Sequence, residues 1–126
     1  MVFQWLIVAS IAALVATSLV HSLGGEIYLL RPLFKHRGNR VLEHPLARMV
    51  LRFAWHLTSI CWIVLAVILY ALAFDEPHLR TVILGSVSLS FTGAGLFDLI
   101  ASRGRHIGWP LLLLTGLFAL AALNYD

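Results

Sequence analysis

Apolar residues fill four long stretches of this chain, and almost no charge interrupts them. The first, 2–22, is about 20 residues long, enough for a helix to cross a ~30 Å hydrocarbon core. The second (47–74), third (79–102) and fourth (107–123) follow. A tight hairpin, Phe74-Asp75-Glu76-Pro77, separates the second from the third, and a short basic loop, Ser102–Gly108, separates the third from the fourth. Only the connection 24–46 is long. The pattern predicts an all-α protein: an integral membrane four-helix bundle of antiparallel spans, forming one domain over residues 1–126.

Local signals predict where the helices stop. Gly24-Gly25 is expected to end the first, and Pro32 to forbid one continuous helix through 24–46. That connection then lies in the headgroup region, with Ile27, Tyr28, Leu29, Leu30, Leu33 and Phe34 toward lipid. Gly38-Asn39 is a turn signal, and His44-Pro45 opens the second helix. Asp75 is expected to cap the third helix with Pro77 in its first turn, leaving His78 solvated. The third span is rich in small residues, from Gly85 and Ser86 to Gly93, Ala94 and Gly95, which suits a central helix in lipid. Asn124-Tyr125-Asp126 is expected at the opposite interface.

Composition sharpens this picture. Sixty per cent of residues are apolar and 12% are charged, against ~25% charged in soluble domains. A chain of 126 residues has no water-soluble core large enough to hide that surface, so lipid is the expected solvent. Of nine Lys and Arg, Arg31, Lys35, Arg37, Arg40, Arg48, Arg52, Arg103 and Arg105 fall on one side of the predicted topology. Only Arg80 falls on the other. By the positive-inside rule, loops 24–46 and 103–108 are cytoplasmic and both termini face away. Topology therefore accounts for the net charge of +3, and no nucleic-acid partner is expected. The single Cys61 lies inside a span, so no internal disulfide forms.

Candidate chemistry lies at the cytoplasmic ends of the spans. Arg48, Arg52, His56 and Ser59 share one helix face. His21, His56, Asp98 and His106 come from four different spans and lie within about one turn, ~5 Å, of one level, with Glu26 and His44 expected near it in the loop. One reading is structural: His56 bonds across helices, Asp98 pairs with Arg52 or Arg103, and His106 caps a helix start. Another is a transition-metal site built from His21, His56, Asp98 and His106, or a haem held by His21 and His56. A third is a proton path. No HxxxH or CxxC spacing marks a metal site, and the outer half of the bilayer supplies no ionisable residue for a path. Arg31, Lys35, Arg37 and Arg40 are candidate contacts for anionic lipid head groups.

The segments His21-Ser22, Gly25-Glu26 and Leu30-Arg31-Pro32-Leu33, followed by Val50-Leu51-Arg52-Phe53-Ala54-Trp55-His56-Leu57-Thr58-Ser59, resemble a group of uncharacterised small four-span bacterial membrane proteins. The resemblance covers mainly the first half of the chain. It implies a bacterial inner-membrane location and no particular activity. The functional expectation is a small binding or accessory (assembly) protein built around the His/Asp/Arg layer. The alternatives are a haem- or metal-binding membrane redox protein and a proton-coupled small transporter. The expected partners are the bilayer and a membrane protein or a second copy of the chain.

Overall fold

A computed structural model describes residues 1–125, so the expected placement of Asp126 lies outside the described residues. Those residues are 85% helix with no strand. The elements are α1 (Val2–Leu19), a π-helical stretch (Val20–Leu30), α2 (Arg31–Lys35), α3 (Pro45–Phe74), a 3-10 turn (Glu76–His78), α4 (Leu79–Ser102) and α5 (Trp109–Leu123). Three continuous helical runs, Val2–Lys35, Pro45–Phe74 and Glu76–Ser102, are long and apolar enough to cross a membrane. The 15 residues of α5 extend ~22 Å, short of a ~30 Å core.

The helices lie in a row. α1 packs on α3, α3 on α4, and α4 on α5, with no extensive packing between α1 and either α4 or α5 among the described residues. Neighbours are antiparallel. Ser18 Oγ donates to Ser59 O at 2.9 Å, and Ser22 meets His56 further along. On the other side, Gly95 faces Leu113 and Gly116 faces Thr92 and the Ser88 carbonyl, each with no room for a side chain. Arg80 closes the far end of the α4–α5 pair by donating to the carbonyls of Ala122, at 3.0 Å, and Tyr125. Within the expected antiparallel helical arrangement, α3 and α4 thus form the middle of a row.

The first helix departs furthest from expectation. It does not end at Gly24-Gly25, and residues 24–35 are helix, not a loop. The backbone changes register instead. Through Val20–Leu30 the hydrogen bonds reach back five residues, as from Arg31 N–H to Glu26 O. Trp55 supplies a physical cause. Its indole Nε1 donates to the His21 carbonyl at 2.8 Å, and a side chain inserted at a helix carbonyl disturbs the ordinary ladder. Pro32 is tolerated because α2 restarts the regular register at Arg31, which puts the proline in a first turn where its missing N–H is not needed.

The other boundaries have simple causes. Gly38 adopts a φ of +104°, and Asn39 Oδ1 accepts from the N–H groups of Val41 (3.1 Å) and Leu42 (3.2 Å) to form the turn. His44 is extended and Pro45 opens α3. Asp75 does not cap a helix with its side chain; its carboxylate accepts from His78 Nδ1 at 2.6 Å, so His78 is paired. α4 stops where Arg103 turns left-handed, with Gly104 N–H bonded to Leu99 O at 2.9 Å.

Candidate functional site

The register between the π-helical stretch and α3 determines which residues meet. His21 and Gly25 face Trp55; Ser22 and Glu26 face His56. The His21 ring stacks on Trp55 with centroids 4.1 Å apart and meets Trp62 edge-on at 4.8 Å. Its Nε2 is buried with no hydrogen-bond partner among the described residues. His56 Nδ1 and Ser22 Oγ share a 2.7 Å hydrogen bond, while His56 Nε2 lies 3.6 Å from Glu26 Oε2. The carboxylate on Nε2 favours the tautomer with a proton there, so Nδ1 accepts from the Ser22 hydroxyl.

Glu26 is the hub. It accepts from Arg52 Nε at 3.0 Å and from Arg31 Nε at 3.3 Å, besides facing His56. Its side chain is 18% exposed, whereas Arg31 (62%) and Arg52 (45%) stay open to the surroundings. Phe34 lies beneath the same cluster, its ring centroid 5.1 Å from the Arg52 guanidinium carbon and 5.9 Å from that of Arg48. Such cation–π contacts orient both guanidiniums. Arg48 Nε in turn donates to the Leu42 carbonyl.

Asp98 pairs neither with Arg52 nor with Arg103. It is fully buried, and its Oδ2 accepts from His106 Nδ1 at 2.6 Å. Its Oδ1 and Ser102 Oγ, one turn further along α4, have no partner among the described residues. The expected single layer is therefore two clusters: His21, Ser22, Glu26, Arg52 and His56 between α3 and the first helix, and Asp98 with His106 at the α4–α5 turn. The helices stand in a row, so groups at similar depth on its outer members do not converge. Ser59, expected on the polar face, is buried with its hydroxyl unpaired while its carbonyl takes the Ser18 bond.

This division bears on the chemistry each set can perform. Among the described residues, no three His, Cys, Asp or Glu side chains stand close enough to hold a metal ion, so His21, His56, Asp98 and His106 do not form the expected donor set. For a haem, both His56 nitrogens already face protein partners, and the His21 ring is enclosed by two indoles. Ser22, His56 and Glu26 form a hydroxyl–imidazole–carboxylate chain like that of a serine hydrolase. Acyl transfer also needs N–H donors aimed at an oxyanion. Here the N–H groups around Ser22 lie inside a helix and serve its ladder, and Glu26 is held by two arginines. The chain of contacts therefore works as a bracket between helices.

Glu26 is the site residue that the helix-boundary reading misplaced by putting it in the connection. The signal for it was the four-residue spacing of Ser22 and Glu26, which aligns both on one face once the helix continues. Arg31 stands beside it, whereas Lys35, Arg37 and Arg40 take no part in the cluster.

Between α3 and α4 a half-open groove of about 660 Å³ begins at this cluster. Arg48, Arg52 and His56 line its mouth, and Leu57, Ile60 and Gly93 line its apolar body. A volume in the range of ~300–1,000 Å³ is typical of small-molecule sites. No protein-family model, curated protein or solved structure matches this chain.

Proposed function

We propose that the chain is a four-span bacterial inner-membrane protein with both termini away from the cytoplasm, acting as a binding or accessory protein whose site is the groove between α3 and α4. The observation that carries the reading is the groove itself: an apolar trough that opens at one end on Arg48, Arg52 and His56. A ligand that fits it has an apolar body and a polar end. The charge asymmetry of the loops supports the orientation. The antiparallel pairing of α5 with α4 from Asp98–His106 to Arg80–Ala122 supports α5 as the fourth span, because it follows α4 from end to end.

Gly93 provides the test. A Cβ added there meets nothing within 4 Å, and it lies on the groove wall. Gly93→Leu is expected to fill the trough without a steric clash, leaving thermal stability in detergent unchanged or higher, since leucine favours helix over glycine by up to ~1 kcal/mol. Organic extraction and mass spectrometry of purified protein should recover a stoichiometric amphiphile from wild type and little from the variant. Equal recovery from both, or none from wild type, would sink the binding-site reading. For the topology, a reporter active only outside the cytoplasm should stay silent when fused at Gly38; activity there would reverse the orientation.

A further inference from the structure

We infer that the groove is selective for an anionic lipid, whose acid group sits between the guanidiniums of Arg48 and Arg52 and whose chain runs down the trough past Leu57, Ile60 and Gly93. This inference rests on the groove being an amphiphile site and adds the chemical class of the ligand.

Charge at the mouth is the first support. Arg48 and Arg52 stand four residues apart on α3, a ~6 Å step along one helix face. Phe34 underlies both guanidiniums, and each Nε is already engaged, one by the Leu42 carbonyl and the other by Glu26 Oε2. A guanidinium carries five N–H donors, and the bonds made by Arg48 and Arg52 run through Nε, so the Nη–H groups are the ones placed to meet a ligand. Glu26 faces Arg31, Arg52 and His56. Among the described residues Arg48 makes no ion pair; Glu43, which lines a cavity beside it, accepts from Gly38 N–H at 2.8 Å. The groove's lining holds two arginines, Arg48 and Arg52, and no carboxylate, which leaves its mouth positive. Oriented arginines bind phosphate and carboxylate oxygens through paired hydrogen bonds, an arrangement that a lysine does not match.

Length is the second support. From Arg48 to Ile60 the groove follows α3 for twelve residues, ~18 Å. One leaflet is about half of a ~30 Å core. An acyl chain anchored by its head at the arginines would therefore lie in the groove within a single leaflet. The lining admits no other charged group below His56, so the polar end can sit only at the mouth. Lipid held only by the basic loop could prefer an anionic head group but would show no dependence on Gly93.

The test uses the full chain in detergent, mixed with equal amounts of phosphatidylglycerol and phosphatidylcholine carrying the same acyl chains, with bound lipid counted by native mass spectrometry. Wild type is expected to retain one phosphatidylglycerol in about tenfold preference, the ratio that one charge-assisted contact supplies. Arg48→Gln keeps the Glu26–Arg52 pair and should lose most of that preference. Gly93→Leu should lose both lipids. Equal retention of the two lipids by wild type would overturn the head-group assignment while leaving the amphiphile groove standing. Retention of neither would overturn both. A preference that survives Arg48→Gln but disappears when Lys35, Arg37 and Arg40 are neutralised would move anion recognition to the connecting loop and overturn the inference. So would a groove found filled by a second copy of the chain.

Discussion

His106→Leu lowers the stability of the folded chain by about 1–3 kcal/mol, the cost of leaving a buried polar group without its hydrogen-bond partner. Asp98 has no exposed surface, its Oδ1 is already unpaired, and His106 Nδ1 supplies the contact to Oδ2. Removing the imidazole leaves a carboxyl with neither oxygen satisfied at the point where α4 turns into α5. Removing both partners is a different case. Asp98→Leu/His106→Leu replaces the pair with apolar groups and should recover most of the loss, since substituting a whole buried pair is often close to neutral. His56→Leu provides the comparison. Glu26 keeps Arg31 and Arg52 without it, and His56 is 35% exposed, so this variant should melt closer to wild type. Thermal unfolding in detergent, followed by circular dichroism, measures all three. A double variant as unstable as His106→Leu alone, or a His56→Leu loss equal to that of His106→Leu, would show that the Asp98–His106 pair does not hold this end of the fold.

What the sequence made legible, and what it hid, follows from which forces act locally. The apolar runs marked the helices because helix length and hydropathy are properties of a single segment. The turn at Gly38-Asn39 and the start at Pro45 were legible for the same reason. Lateral arrangement was not. His21, Asp98 and His106 lie near similar depths by residue count, but whether they meet depends on the order in which the helices stand side by side. Here that order is a row, with α3 and α4 in the middle, so Asp98 finds His106 across its own turn and Arg52 finds Glu26 on the other side of α3. The groove was hidden for the same reason: the residues of its two walls are 33 to 52 positions apart in the chain, and neither alone has a signature. Glu26 was misplaced because Gly-Gly and proline act as helix breakers in water, whereas here an indole packed against one glycine and a register change ahead of the proline carry the helix onward.

The two adjacent glycines separate these accounts, because they should respond with opposite signs. A Cβ at Gly25 would lie 2.7 Å from Trp55 Cε2 and Cζ2, deep within van der Waals contact. One at Gly24 would meet only Val20 Cγ1, at 3.9 Å. If both glycines were there to end a helix, alanine at either position would extend it and the effects would be alike. In this structure both lie inside the helix, and only Gly25 is there for close approach. Gly25→Ala is therefore expected to destabilise the chain by about 1–3 kcal/mol, the usual cost of overpacking a filled contact. Gly24→Ala should stabilise it by roughly 0.5–1 kcal/mol, the helix preference of alanine over glycine. The loss at Gly25 passes through Trp55, which stacks on His21 and donates to its carbonyl. Trp55→Leu alone should already lose that support, and Gly25→Ala added to it should cost little more, since residues in direct contact are not additive. Melting temperatures of the four variants decide the matter: equal signs at the two glycines, or full additivity with Trp55→Leu, would return Gly24-Gly25 to the role of a helix stop and remove the packing that sets Ser22 and Glu26 against His56.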